Sequence, residues 1–117
     1  MGGFNIHAER VLDDDASTPT AVTLYEAGSV TERTLLSTEV LHITDILIIT
    51  ETAGDVQLLA DSAAGGRYIV DTKTAAGVPI SIRFGSPYIC PVGVVPKFTG
   101  VSSNRNMCLL QGFITGA

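Results

Sequence analysis

The chain has 117 residues, a length that suits one domain with a single core. Seven basic and twelve acidic side chains give a net charge of −5, which disfavours binding to nucleic acid and to anionic membrane surfaces. The apolar runs are far shorter than the roughly 18 residues that a membrane-spanning helix needs. The first residues lack the basic and apolar regions of a signal peptide, so we expect synthesis in a cytoplasm.

Charged side chains are scarce in this chain relative to its apolar content. They make up 16% of the residues, whereas an ordinary soluble domain has about 25%. Apolar residues make up 45%, and one small core can absorb only part of them. We therefore predict a homo-oligomer or assembly component whose remaining apolar surface is covered by other subunits. The alternative is a monomer in which small residues such as Ala inflate the count.

The chain begins with a segment that we interpret as an extended N-terminal arm, residues 1–19, ahead of a domain at 20–117. Residues 4–7 alternate weakly and are compatible with a short strand. The run Asp13-Asp14-Asp15, followed shortly by Pro19, is typical of a solvated acidic loop. Its carboxylates also suit calcium, but the glycine and distant glutamate of an EF-hand loop are missing.

From residue 20 onwards, short segments rich in apolar and β-branched residues alternate with turn residues. The longest, 40–50, changes phase at Asp45, as a β-bulge would cause. We predict that it forms a hairpin with 56–60, and that 102–106 is a second hairpin turn. The clearest alternation is at 78–84, where Pro79 indicates an edge strand or the start of a strand and 85–87 ends it.

No segment has a sustained helical period. The sequence therefore predicts an all-β fold: a single antiparallel β-sandwich, jelly-roll-like, with about eight short strands and the extended N-terminal arm.

Residues suited to catalysis or metal binding are not grouped in the sequence. His7 and His42 lie in different elements without cysteines at metal-ligand spacing. Cys90 and Cys108 have apolar neighbours, which favours buried free thiols over a disulfide, although both interpretations stay open. No serine lies in a nucleophile elbow. Pairs of carboxylates could serve a glycoside hydrolase, but the chain has no Trp that could stack on a sugar ring. We predict a non-enzymatic protein without cofactor or metal; a carbohydrate-acting enzyme is the alternative from another class.

Three stretches follow one another in a familiar order. They are LHITDILI with TAGDVQLLAD at 41–61, GVPISIRFGSP at 77–87, and MCLLQGFITG at 107–116. In this order the chain resembles small β-sandwich proteins of tailed phages, in which a strand that contains Thr-Asp-Ile leads through Thr-Ala-Gly into a second strand that ends near an Asp. The resemblance covers about 40–116.

Members of that group are virion components: head decoration or cement proteins, head fibres and tail-associated modules, frequently trimeric. The resemblance implies a capsid decoration or cement protein, a homotrimer that binds the major capsid protein lattice on the outer surface of the phage head. The alternative is a tail or fibre β-module that binds a host receptor or carbohydrate. We predict contacts through apolar residues of the arm and of two apolar runs, although core burial explains them equally well: Phe4, Ile6, Ile46, Ile48, Val92 and Val94.

Overall fold

The computed structural model describes residues 4–12, 20–26, 30–60, 68–101 and 105–116, and for 4–12 it describes the path of the backbone alone. The acidic run at 13–15 lies outside these residues, as does most of the second predicted hairpin turn. No helix in the described ranges is long and apolar enough to cross a membrane.

The described residues form nine strands. These are β1 Phe4–Leu12, β2 Thr20–Ala21, β3 Thr23–Glu26, β4 Glu39–Thr50, β5 Gly54–Leu59, β6 Tyr68–Thr74, β7 Ile80–Ile89, β8 Lys97–Thr99 and β9 Asn106–Gly116. All pairings are antiparallel, in a five-stranded sheet of order β3-β1-β9-β4-β7 and a four-stranded sheet of order β2-β8-β5-β6. The predicted all-β sandwich is confirmed, and the chain crosses repeatedly between its two sheets.

One core fills the space between the sheets. The five-stranded sheet contributes Leu41, Ile43, Ile46, Ile48, Leu110 and Ile114, and the four-stranded sheet contributes Val56, Leu58, Val70 and Phe98. Cys90 and Cys108 lie in the same cluster as free thiols, which confirms the first of the two interpretations of the cysteines. Burial raises the pKa of each thiol to about 12, so both stay protonated near neutral pH.

A β-bulge in β4 explains the change of phase that the sequence shows at Asp45. Ile43 pairs with Gly112 and Asp45 pairs with Gln111, so Thr44 is the extra residue. The insertion allows apolar positions on both sides of the bulge to point into the core. Gly112 is required here, because a Cβ atom at this position would overlap the carbonyl oxygen of His42. The predicted bulge is confirmed.

The predicted hairpin between 40–50 and 56–60 is wrong. β4 pairs with β7 and β9, whereas β5 pairs with β6 and β8 in the other sheet. The turn at 51–53 therefore carries the chain across the sandwich. β4 and β5 each have a row of buried apolar side chains, and both rows belong to the core between the two sheets. β8 and β9 likewise belong to different sheets, so the second predicted hairpin is wrong as well.

The N-terminal segment corrects the predicted boundary at residue 20. β1 lies inside the five-stranded sheet, paired along its full length with β9 and partly with β3. Residues 4–12 are therefore a strand of the sandwich and not part of an arm. Phe4 faces Ile114 across this ladder. The partner strand lies at the opposite end of the sequence, so local alternation alone could not indicate the pairing.

β7 lies at the edge of the five-stranded sheet, and Pro79 directly precedes it, as its position in the sequence indicated. The break predicted at 85–87 does not end the strand. Asp45 pairs with Arg83 and Ile43 pairs with Tyr88, so residues 84–87 leave the ladder and β7 then rejoins it. β7 tolerates the interruption because it is an edge strand, so only its pairing with β4 is affected.

Buried polar side chains join segments that are distant in the sequence. The hydroxyl oxygens of Thr50 and Thr74 lie 2.7 Å apart and link β4 to β6 in the other sheet. The Asn106 amide donates to the carbonyl oxygen of Val101 at 2.8 Å and accepts from its N–H at 2.9 Å. Arg33 donates to both oxygens of the Glu39 carboxylate, at 3.2 and 2.7 Å, and fixes the connection before β4 against the sheet.

Candidate interaction face

The surface that stands out is the side of the five-stranded sheet that faces away from the core. We call it the outer face. Its side chains on β4, β7 and β9 are partly or fully exposed, and none belongs to the core cluster. They include His42, Asp45, Leu47, Ile49, Arg83, Ile89, Met107, Leu109, Gln111 and Phe113.

Strand register arranges the outer face in layers, because residues that pair across two strands point to the same side of a sheet. At one end Ile49 pairs with Met107, and next to it Leu47 pairs with Leu109. These four side chains form a continuous apolar patch over the seam between β4 and β9. A shallow groove of about 400 Å³, lined in part by Glu51 and Arg105, borders its outer end.

The middle layer of the outer face is polar. The guanidinium of Arg83 donates through Nε to Oδ1 of Asp45 at 3.1 Å, and the hydroxyl of Thr44 donates to the other carboxylate oxygen at 3.0 Å. Gln111 pairs with Asp45 across the β4–β9 seam and is exposed. Among the described side chains of this layer, the one carboxylate and the one guanidinium therefore compensate each other.

Aromatic rings occupy the layer at the other end. His42 stacks on Phe113 with ring centroids 4.5 Å apart and an angle of 11° between the planes. Nε2 of His42 lies 2.8 Å from the hydroxyl oxygen of Thr115, and Ile89 pairs with His42 from the neighbouring strand β7. The imidazole thus contributes a flat surface to this end of the outer face.

β4 and β9 therefore have large apolar side chains on both sides. An antiparallel sheet that covers one core normally turns polar residues to water on its other side. Here the inward residues Ile46 and Ile48 alternate with the outward residues Leu47 and Ile49. The arrangement suits a surface that another protein covers.

The six predicted contact residues have different positions. The backbones of Phe4 and Ile6 lie in β1, whose side chains are outside the description. Ile46 and Ile48 are 1% and 0% exposed, so they belong to the core, and the second of their two predicted explanations accounts for them. Val92 is 61% exposed and Val94 partly so, in the connection between β7 and β8.

Sequence reasoning did not identify the outward residues of the patch. The prediction used the apolar run at 46–49 as a whole and selected the two members that point inward. The available signal was that both phases of alternation are apolar in β4 and again in β9, at Leu47 and Ile49 and at Met107 and Leu109. Two such strands have more apolar side chains than one core side can bury.

The described residues contain no group of three or more His, Cys, Asp or Glu side chains placed to hold a metal ion. No protein-family model matches the chain, and no curated protein matches it by sequence.

Proposed function

We propose that this chain is a non-enzymatic structural protein of a phage virion, a capsid decoration or cement protein on the outer surface of the head. It binds the major capsid protein lattice as a homo-oligomer, in three copies as in the group that it resembles, and it stabilises the assembled shell.

The observation that carries this proposal is the apolar patch on the outer face. Leaving large apolar side chains in water forgoes about 25 cal/mol for each Å² that burial would remove from solvent. An assembly protein recovers this free energy by covering the face in its oligomer or on its lattice. The resemblance of residues 40–116 to phage β-sandwich proteins supports the same class of function.

The mechanism requires no chemical step. A protein that binds only the assembled shell shifts the equilibrium between shell and free subunits towards the shell, by about 2.7 kcal/mol per site at a free concentration of 100 times the Kd. A rigid two-sheet domain suits this task, because little conformational entropy is lost when a preformed surface binds.

Cosedimentation with purified tail-less heads of the phage that encodes the chain tests the proposal. We expect the protein to sediment with the heads, to saturate at a number of copies fixed by the lattice, and to raise the temperature at which the heads release DNA. A protein that stays in the supernatant contradicts the proposal. If it then binds host cells or purified tails, the alternative of a tail or fibre module is favoured.

A further inference from the structure

We infer that the outer face is the surface through which copies of this chain associate, around a rotation axis that runs parallel to the seam between β4 and β9. The inference rests on the homo-oligomer of the proposed function and names its contact face. Three features of the described residues support a second copy as the occupant.

The first feature is that each layer of the outer face is complementary to the same layer of a second copy. A rotation axis parallel to the seam keeps every layer at its own height, so each layer meets the same layer of the neighbouring copy. Leu47 then meets Leu109 of the other copy, and the aromatic layer meets an aromatic layer. Apolar side chains contact apolar side chains throughout the patch, whichever number of copies surrounds the axis.

The polar layer fits the same arrangement. The Asp45 carboxylate meets the Gln111 amide of the other copy, which can donate to it. Because Asp45 is already paired with Arg83, the layer adds no net charge to the contact. The chain as a whole carries −5, yet the described side chains of this layer are neutral as a set, so copies meet here without strong repulsion.

The size of the face is the third feature. β9 has eleven residues, and the strands β9, β4 and β7 lie side by side. With about 3.4 Å per residue and about 4.8 Å between strands, these three strands cover a flat area of about 540 Å². A stable protein interface takes about 800 Å² from each partner. The flat area of the outer face is therefore about two thirds of that amount, which is the order of size that self-association needs.

Molar mass in solution gives the first test. We expect the wild-type protein to have two or three times the chain mass of 12.2 kDa by light scattering. Leu47→Asp and Leu109→Asp should each raise the dissociation constant by about 100-fold or more, because the contact would bury an unpaired carboxylate. The matched control is Tyr68→Asp, which changes an exposed aromatic residue on the four-stranded sheet and should leave the mass unchanged.

Cross-linking gives a second test that does not depend on disruption. We would mix a protein carrying Asp45→Cys with a second protein carrying Gln111→Cys and oxidise the mixture. We expect a disulfide-linked species that contains one chain of each kind, because these positions meet across the inferred contact. The native thiols are buried and do not compete. Asp71→Cys on the four-stranded sheet replaces Gln111→Cys in the control, which should give no linked species.

The outcomes separate this inference from the proposed function. An oligomer that forms no such cross-link and ignores the Leu47→Asp and Leu109→Asp changes overturns the inferred face and leaves the homo-oligomer standing. A protein that is monomeric at all concentrations overturns both the inferred contact face and the homo-oligomer. A monomer that binds heads through Leu47 and Leu109 also overturns the inference, because the occupant is then the capsid lattice.

Discussion

The two sheets of the sandwich treat their outward sides differently. On the four-stranded sheet, Asp55 pairs with Lys73 at 3.1 Å, and the Gln57 amide donates to Asp71 at 3.3 Å. These polar side chains alternate with buried ones such as Val56 and Leu58, as expected for a sheet with one side in water. The five-stranded sheet instead has the apolar patch. The difference shows that one sheet has the usual polar side towards water, whereas the other has large apolar side chains on both of its sides, and this second arrangement is the basis of the contact that we propose.

The largest expected effect concerns the bulge that sets the phase of β4. Gly112→Ala places a methyl group where the His42 carbonyl oxygen lies. The overlap is relieved only if the backbone of β4 or β9 moves, and the two strands are paired along their length. We expect a loss of about 4 kcal/mol or more in the free energy of unfolding, by urea denaturation. Gly85→Ala is the control, because a Cβ there meets open space. Equal effects at both positions would contradict the bulge geometry.

Adjacent isoleucines in β4 test which side of the sheet serves the core. Ile48→Ala should cost about 2–5 kcal/mol of unfolding free energy because it leaves a cavity in the core. Ile49→Ala, one residue later on the outer face, should cost clearly less when measured on the dissociated chain, and should weaken self-association instead. Urea denaturation and light scattering on both variants measure the two effects. The reverse pattern would show that the two sides are assigned wrongly.

The ion pair at the start of β4 predicts a dependence of stability on pH. The side-chain hydrogen bonds from Arg33, with the backbone N–H of Leu36, lower the pKa of the Glu39 carboxyl below its ordinary value of 4.5. The contribution of this ion pair to the free energy of unfolding is therefore complete above pH 4.5. It is lost as the pH falls through the lower pKa that Glu39 has in the folded state. We expect the difference in unfolding free energy between wild type and Glu39→Gln to shrink from pH 6 to pH 3. A constant difference would contradict the assigned ion pair.

The smallest effect is expected on the four-stranded sheet. Lys73 and Asp55 are 83% and 71% exposed, so solvent screens their attraction. Lys73→Ala should change the free energy of unfolding by less than about 1 kcal/mol and should leave the molar mass unchanged. A large change in either measurement would show that this side of the molecule also makes a structural contact.

The sequence predicts those features that depend on neighbouring residues. Alternation and turns give the β-sandwich, the phase change at Asp45 gives the bulge, and Pro79 gives the start of an edge strand. The strand partners were not predictable in this way, because β1 pairs with β9 from the far end of the chain and β5, which follows β4 in the sequence, lies in the other sheet. The apolar surplus indicated a contact surface, but only the direction of each side chain separates Leu47 and Ile49 from the core isoleucines.

The pairing of β1 with β9 has a practical consequence. Phe4 and Ile114 face each other across the ladder, where paired Cα atoms lie about 5 Å apart. A guest sequence fused before Phe4 and another fused after Gly116 would thus leave the sandwich from the same end. A short linker between these points, with new ends opened at the exposed residues 75–77, would give a circularly permuted scaffold.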